Sequence, residues 1–456
     1  MRRALPTVAA VAAVVVCAAP GSALAVPGLE TGFADPLYTS SQQADRQFAF
    51  NRTVDAAAGM VRINVLWRNT ATAQPADPGN PADPAYDFAP YDAAVRDAAA
   101  RGLEPLLTIY RAPTWAEGAG RPAGTPAGSW KPQPQALADF TRALATRYSG
   151  SFGIPEALPR VRLFQIWNEP NLVSYLNPQA ESAGLYTGML NAAYGAVKFV
   201  HPDNQVVTAG TAPYGDPPGG ERIRPLIFWR AVLCLEGPCA EKANFDVLAH
   251  HPINTSGGPT RSAIDPDDVS TPDLGHLRTV LREAESQGRT GTPGPHEIWV
   301  TEIWWETNPP DGFEGVRPKR QGRWLEQAMY LLWKKGARVV LNLQVRDAPF
   351  SEDAALADTA TGVFFADGSA KPSFTAFRFP FVTDRKSKRK LLAWGKAPVG
   401  GRLKIQRQRK GKWRKVASFG VEAGEVFKEK LRLRHKPKLR AKVGGETSLT
   451  WKADGS

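Results

Sequence analysis

The chain has 456 residues, 43% of them apolar and 22% charged, a composition that excludes wholesale disorder and allows one large core beside a smaller one. Its formal charge of +13 is unevenly spread: Val382–Ser456 holds 23 Lys+Arg against 6 Asp+Glu, whereas Val26–Phe381 is mildly acidic at −6. This asymmetry divides the mature chain into a body (26–381) and a basic tail (382–456).

The first 25 residues open with Arg2 and Arg3, run apolar from Val8 to Ala19 and end in Ala23-Leu24-Ala25. This pattern predicts a secretory signal peptide cut after Ala25, its apolar run too short to span a bilayer comfortably. The expectation is a secreted protein, extracellular or cell-wall associated, with no membrane association once the signal is removed. Cys17 raises a lipoprotein signal, but Val16 before it fits that pattern poorly.

Along the body, apolar runs predict strands at Gly32–Leu37, Met60–Trp67, Leu103–Tyr110, Val161–Trp167, Gln205–Gly210, Phe245–Ala249, Glu297–Ile303 and Val339–Val345. Amphipathic helical segments lie between most of them, at Tyr91–Arg101, Pro134–Tyr148, Glu181–Val200, Ile223–Leu235, Asp273–Gln287 and Arg323–Lys335. Strands alternating with helices imply a parallel sheet, and eight such repeats imply a (β/α)8 TIM barrel with insertions. A doubly wound sheet is the alternative. No Gly-x-Gly-x-x-Gly follows the first strand, so a dinucleotide site has no support. The Pro/Gly-rich stretches Pro75–Tyr86 and Ala116–Pro134 are long inserts that would wall a pocket or line a groove on the active face. Cys234 and Cys239 read as a short-loop disulfide in an oxidising compartment; a metal site is the rival and would need further ligands nearby.

The tail predicts strands at Lys390–Trp394, Arg402–Arg407, Lys412–Ala417, Val426–Leu433 and Leu439–Val443, with Gly pairs and Lys410-Gly411 supplying turns. A small all-β, sandwich-like accessory module follows. Its charge suits an anionic cell-wall polymer or acidic polysaccharide. Export and the lack of a nucleic-acid motif argue against nucleic acid. A spacer with a basic solvent face is the plain alternative.

Barrel active sites sit at the C-terminal ends of the strands. There the sequence places Arg62, Asn64 and Trp67 on the second strand, Trp115 after the third, Trp167-Asn168-Glu169-Pro170-Asn171 after the fourth, His250-His251-Pro252 after the sixth and Thr301-Glu302-Ile303-Trp304-Trp305-Glu306 at the seventh. Glu169 and Glu302 stand out, since glycosidic cleavage needs two facing carboxyl groups. Asn168 offers an amide to a sugar hydroxyl, and Trp115, Trp304 and Trp305 are either core or sugar platforms. Glu306 competes locally with Glu302.

Trp167-Asn168-Glu169-Pro170, followed by a Glu at the end of the seventh strand, resembles the clan A glycoside hydrolases, which are retaining enzymes on a (β/α)8 barrel. Ala249-His250-His251-Pro252 and Thr301-Glu302 look most like glycoside hydrolase family 39 and its relatives. The resemblance implies Glu169 as general acid/base, Glu302 as nucleophile, Asn168 on the hydroxyl beside the anomeric carbon, Arg62 as the arginine that holds the nucleophile ionised, and His251 as the active-site histidine after strand six. It implies a carbohydrate substrate and no cofactor. Two departures stand out. Relatives often carry His-x-Tyr where this chain has His251-Pro252-Ile253, so another donor must serve, and the eighth strand lacks the clan's tryptophan. An inactive glycan-binding barrel and a metal-dependent hydrolase built on His250 and His251 are the competing readings. His250 is otherwise left to packing.

Overall fold

The structure, a computed structural model, describes residues 28–453 except positions 154, 238, 313–314, 350–358 and 435. The predicted signal peptide and Cys17 lie outside the described residues. Eight parallel strands close a barrel in chain order: β1 (Glu30–Ala34), β2 (Met60–Leu66), β3 (Glu104–Tyr110), β4 (Leu163–Ile166), β5 (Gln205–Thr208), β6 (Val247–His250), β7 (Glu297–Ile303) and β8 (Ala337–Leu343), with β8 returning to β1. The closed ring replaces the doubly wound alternative. Helices α1 (Gln43–Asp55), α2 (Trp67–Thr70), α3 (Ala89–Ala99), α4 (Pro134–Arg147), α5 (Ser182–Val200), α6 (Pro225–Val232), α7 (Leu274–Ser286), α8 (Pro318–Lys334) and α9 (Pro372–Arg378) accompany the strands. Pro134, Pro225 and Pro318 open α4, α6 and α8, where a missing N–H costs nothing. No helix among the described residues is long and apolar enough to cross a membrane.

The strand ends differ from expectation where side chains intervene. The first strand stops at Ala34 because buried Asp35 accepts from the backbone N of Leu37 (2.7 Å) and of Val345 (2.6 Å), turning the chain and tying β1 to the segment after β8. Helix α6 ends at Val232, before Cys234 takes a left-handed φ of 56° and joins Cys239 in a disulfide.

The barrel lumen is layered with the two-residue period of its strands. Met60, Leu106, Leu163 and Trp299 belong to an apolar cluster that fills its lower part. Two residues further along the same strands stand Arg62, Thr108, Gln165 and Thr301, all buried and all polar. The apolar layer is ordinary barrel core; the polar layer forms the floor of the site.

Beyond α9 come β9 (Phe381–Arg385), β10 (Lys390–Lys396), β11 (Gly401–Arg409), β12 (Lys412–Val421), β13 (Val426–Arg432), β14 (Lys438–Val443) and the two-residue strands β15 (Glu446–Thr447) and β16 (Trp451–Lys452). They form two antiparallel sheets, β13-β10-β9 and β12-β11-β14-β15, with β16 also on β14. The first sheet lies against α8, where Trp394 packs on Tyr330 and Trp333, and meets the second through Phe427 and Phe419. Lys396 reaches Thr31 Oγ1 at the start of β1 (2.8 Å), and Arg323 in the first turns of α8 donates to Lys452 O (3.3 Å), so this region is held both at the lower end of the barrel and along α8.

Candidate active site

Glu169 stands in the loop after β4 and Glu302 near the end of β7. Both Trp167 (φ 75°) and Glu169 (φ 38°) hold left-handed backbone, which non-glycine residues adopt at a cost of about 1–3 kcal/mol. The twist is held by hydrogen bonds from Trp167 N to Ile109 O (2.8 Å) and from Glu169 N to Gly210 O (3.0 Å). It turns Asn168 toward Arg62 and Glu169 toward His251. Oxygen and nitrogen atoms of Glu169, His251 and Glu302 all come within 4.8 Å of one another.

Arg62, almost fully buried, is the hub. Its Nη1 donates to Glu302 Oε2 (3.0 Å), its Nη2 to Asn168 Oδ1 (2.6 Å) and its Nε to Thr108 Oγ1 (3.0 Å). Because Oδ1 of Asn168 is taken, its NH2 group is the end left to a ligand. Thr108 Oγ1 donates to Gln165 Oε1 (2.9 Å), and Gln165 Nε2 donates to Thr208 O (3.0 Å) and Thr301 Oγ1 (3.1 Å). Thr301 Oγ1 lies 3.1 Å from His251 Nε2, and His251 Nδ1 lies 2.9 Å from Glu169 Oε1. One unbroken set of hydrogen bonds thus joins the two carboxylates through the barrel.

Burial pushes the Glu169 carboxyl up to about 7 against the lowering pull of Arg62, so near neutrality it holds a proton about half the time. Burial pushes His251 down to about 4, so it is neutral and its contact with Glu169 is a hydrogen bond rather than an ion pair. His250 is likewise neutral, held down to about 3 by burial. Its Nδ1 meets Thr211 Oγ1 (2.8 Å) and its Nε2 meets Val269 O (2.8 Å), which commits it to packing.

A cleft of about 440 Å³ opens over the two carboxylates. Asn168, Tyr175, Tyr214, Asn254 and Trp304 line it, from the loops after β4 to β7. Trp304 Nε1 is buried with no hydrogen-bond partner among the described residues. Trp305 also reaches the cleft but is mostly core, with Nε1 donating to Gly257 O (3.1 Å). Trp115 does not join the site: it packs edge-on against Trp67 and donates from Nε1 to Ala71 O (2.9 Å). Glu306 is spent on structure, its Oε1 accepting from the backbone N of Thr359 (3.0 Å) and Ala360 (3.2 Å). Neither long insert lines the cleft. Glu117 Oε1 gathers the N–H groups of Gly128 (2.8 Å) and Trp130 (3.0 Å), folding the second insert onto itself.

Ile253 lines the cleft where relatives of the resembled family carry a tyrosine. Tyr175, which sequence reading passed over, faces the same place from the β4 side. Its phenol is held protonated by burial and by the negative charges of Glu169 and Glu302. Thr108 and Gln165 also escaped notice, although each is a polar residue at an inward position of an otherwise apolar strand.

Glu169, His251 and Glu302 could also serve a cation. Against this, Arg62 already places a positive charge 3.0 Å from Glu302, and both His251 nitrogens are engaged. Among the described residues, His250 points away from the cluster.

No protein-family model matches the chain, and no curated protein sequence matches it. Solved structures do. A family 39 glycoside hydrolase from the gut symbiont Bacteroides cellulosilyticus superposes with a TM-score of 0.54 at 17% identity, covering 89% of this chain and 81% of that one. A glucosidase from Croceicoccus marinus gives 0.51 at 16% identity, over 90% and 94%. A monomeric beta-xylosidase from Caulobacter crescentus gives 0.50 at 15% identity, over 90% and 95%. At these identities the likeness is one of fold.

Proposed function

We propose that this chain is a retaining glycoside hydrolase that cleaves O-glycosidic bonds in a polysaccharide or oligosaccharide. The observation that carries this reading is the approach of Glu169 and Glu302 to within 4.8 Å across the barrel mouth, one burial-raised and the other paired with an arginine. Retaining enzymes hold their carboxyl groups roughly 5–5.5 Å apart, whereas inverting enzymes leave about 6.5–9.5 Å for a water. The structural neighbours named above supply the fold-level precedent.

In this reading Glu302 attacks the anomeric carbon. The bond to the leaving oxygen breaks, and that oxygen takes the proton of Glu169. A glycosyl ester of Glu302 results, and its formation removes the negative charge that balanced Arg62. The uncompensated guanidinium then favours ionised Glu169, which is what the second step requires. Glu169 takes a proton from water, whose oxygen displaces Glu302 and restores both carboxyl groups. Asn168 presents its NH2 group to the hydroxyl beside the reacting carbon. Tyr175 supplies the donor that Ile253 cannot. Trp304 offers a ring face to the sugar.

The N-terminal sequence and the Cys234–Cys239 disulfide support action outside the cytoplasm. The test is sugar release by the mature protein from a panel of polysaccharides and aryl glycosides, with Glu169→Gln and Glu302→Gln beside it. Release by the parent with a loss of about 10³-fold or more in both variants is expected. Equal activity in all three would overturn the assignment, and glycan binding without turnover would favour an inactive binding barrel.

A further inference from the structure

The outer face of the second C-terminal sheet is a continuous basic surface. On β11 the inward positions Leu403 and Ile405 are buried, which turns Arg402, Lys404 and Gln406 outward. The antiparallel register continues that face onto the neighbouring strands. Lys404 stands opposite Lys442 on β14 and Ser418 on β12, and Gln406 stands opposite Arg440 and Lys415. Lys438 stands opposite Lys452 on β16. Arg440 lies over the Trp413 ring at 4.1 Å, which fixes these two side chains on the same side.

No carboxylate shares this face on β11, β12, β14, β15 or β16. The acid of these strands, Glu446, is turned the other way and pairs with Arg378 of α9 (2.6 Å). Among the described residues, Arg402, Lys404, Lys415, Lys438, Arg440 and Lys442 form no ion pair. The directly opposed lysines Lys404 and Lys442 are destabilising on their own, since Cβ atoms so placed lie about 5 Å apart. A sheet edge blunted against aggregation needs only one or two lysines at the edge, whereas Lys404 and Lys442 sit on the two central strands, β11 and β14.

We propose that this face binds a linear polyanionic glycan, whose negative groups relieve the lysine repulsion. Cationic rows at the strand spacing of about 4.8 Å suit a chain that carries a charge on each sugar or linker. A single-stranded nucleic acid fits less well, because such polymers bind through open aromatic platforms and the aromatic side chain here, Trp413, is already covered by Arg440. The carboxylates of a uronate chain and the phosphodiesters of a glycerol-phosphate polymer present the same chemistry, so the experiment separates them. This inference is independent of the barrel's activity: none of the residues of this face lines the cleft over Glu169 and Glu302.

The test is retention of the full mature chain on immobilised polygalacturonate and on poly(glycerol phosphate), with neutral dextran and single-stranded DNA as controls, from 50 to 500 mM salt. The triple variant Lys404→Gln, Lys438→Gln, Lys442→Gln is compared with a variant of equal charge change on the body, Lys242→Gln, Lys319→Gln, Lys335→Gln. The expected result is salt-sensitive retention of the parent on one or both anionic glycans and none on dextran. Affinity falls tenfold or more in the sheet variant and less than twofold in the body variant. The sheet variant should unfold at the same temperature as the parent or higher, since repulsion is removed. No retention of the parent, equal losses in both variants, or tighter retention on DNA than on either glycan would each overturn the proposal.

Discussion

His251 Nδ1 lies 2.9 Å from Oε1 of Glu169, and the direction of the hydrogen bond between them follows from the other side of the barrel. Arg62 can only donate, so Thr108 accepts from it and must pass its own proton to Gln165 Oε1. That orients the Gln165 amide, whose NH2 group donates to Thr301. Thr301, already accepting there, has its own proton to give to His251 Nε2, an arrangement that places the histidine proton on Nδ1. The same arginine that holds Glu302 thereby selects the histidine tautomer that orients Glu169. With Oε1 occupied by a donor, the acid proton of Glu169 belongs on Oε2, the oxygen left to the leaving group.

Thr301→Val removes the hydroxyl that fixes this tautomer while keeping the shape of the side chain. The variant should fold normally and lose about tenfold in kcat/KM, near 1.4 kcal/mol of transition-state stabilisation. A purely structural role for Thr301 would leave the pH profile in place. A positioning role shifts its alkaline limb to higher pH, because a histidine free to present an unprotonated Nδ1 no longer donates to the Glu169 carboxylate and so no longer favours its ionised form. Steady-state kinetics across pH 5–9 for both proteins checks this.

For the parent, the alkaline limb follows from Glu169 itself. The acid must be protonated to act, and its value is raised to about 7, so kcat/KM should be full well below 7 and fall as pH rises through it. The limb should vanish in Glu169→Gln assayed with a dinitrophenyl glycoside, whose leaving group needs no proton. A limb unchanged in that variant would assign the titration to another group.

Gly210 is where the sequence could least tolerate a side chain. A Cβ there would lie 2.1 Å from His251 Nε2, and the histidine is fully buried with no room to retreat. Gly210→Ala should therefore cost about 1–3 kcal/mol of stability by overpacking. It should also reduce turnover far more than that loss explains, by displacing His251 from Glu169. Thermal unfolding and kinetics on the same preparation separate the two effects.

The barrel was legible because its strands are apolar runs set apart by amphipathic helices, and strand β7 matches its predicted span residue for residue. Helix α1 was not, since its sequence QADRQFAFNRTVD carries few apolar residues and is held by packing of Ala49, Phe50 and Thr53. The two carboxylates were legible from their place at strand ends, and Arg62, inside the second strand, from the resemblance alone. Thr108 and Gln165 were not, because one inward polar residue in a buried strand resembles a satisfied core position until its partners on three other strands are known. Trp115 misled for the opposite reason: an aromatic after a strand end is as suited to capping Trp67 as to stacking on a sugar. Tyr175, six residues beyond Glu169, reaches the site only through the conformation of the β4 loop, which no local pattern encodes.

Glu326 makes the last prediction, and it concerns stability. The residue lies on α8 under the first C-terminal sheet, fully buried, with Oε2 accepting from Phe381 N (3.4 Å) and Arg323 3.7 Å from Oε1. Burial raises its carboxyl from 4.5 to about 8. The folded protein then holds a proton that the unfolded chain releases above pH 4.5, so the stabilising contribution is whole below that pH and is lost as pH rises through about 8. The window of loss is pH 4.5–8, and its size is about 5 kcal/mol. Glu326→Gln replaces the protonated acid by a neutral group of the same shape and should flatten this slope. The parent's unfolding midpoint should fall relative to the variant's between pH 5 and pH 8.5, with the two nearly equal at pH 5. Parallel curves over that range would show that Glu326 is ionised in the folded protein and that Arg323, rather than a proton, balances its charge.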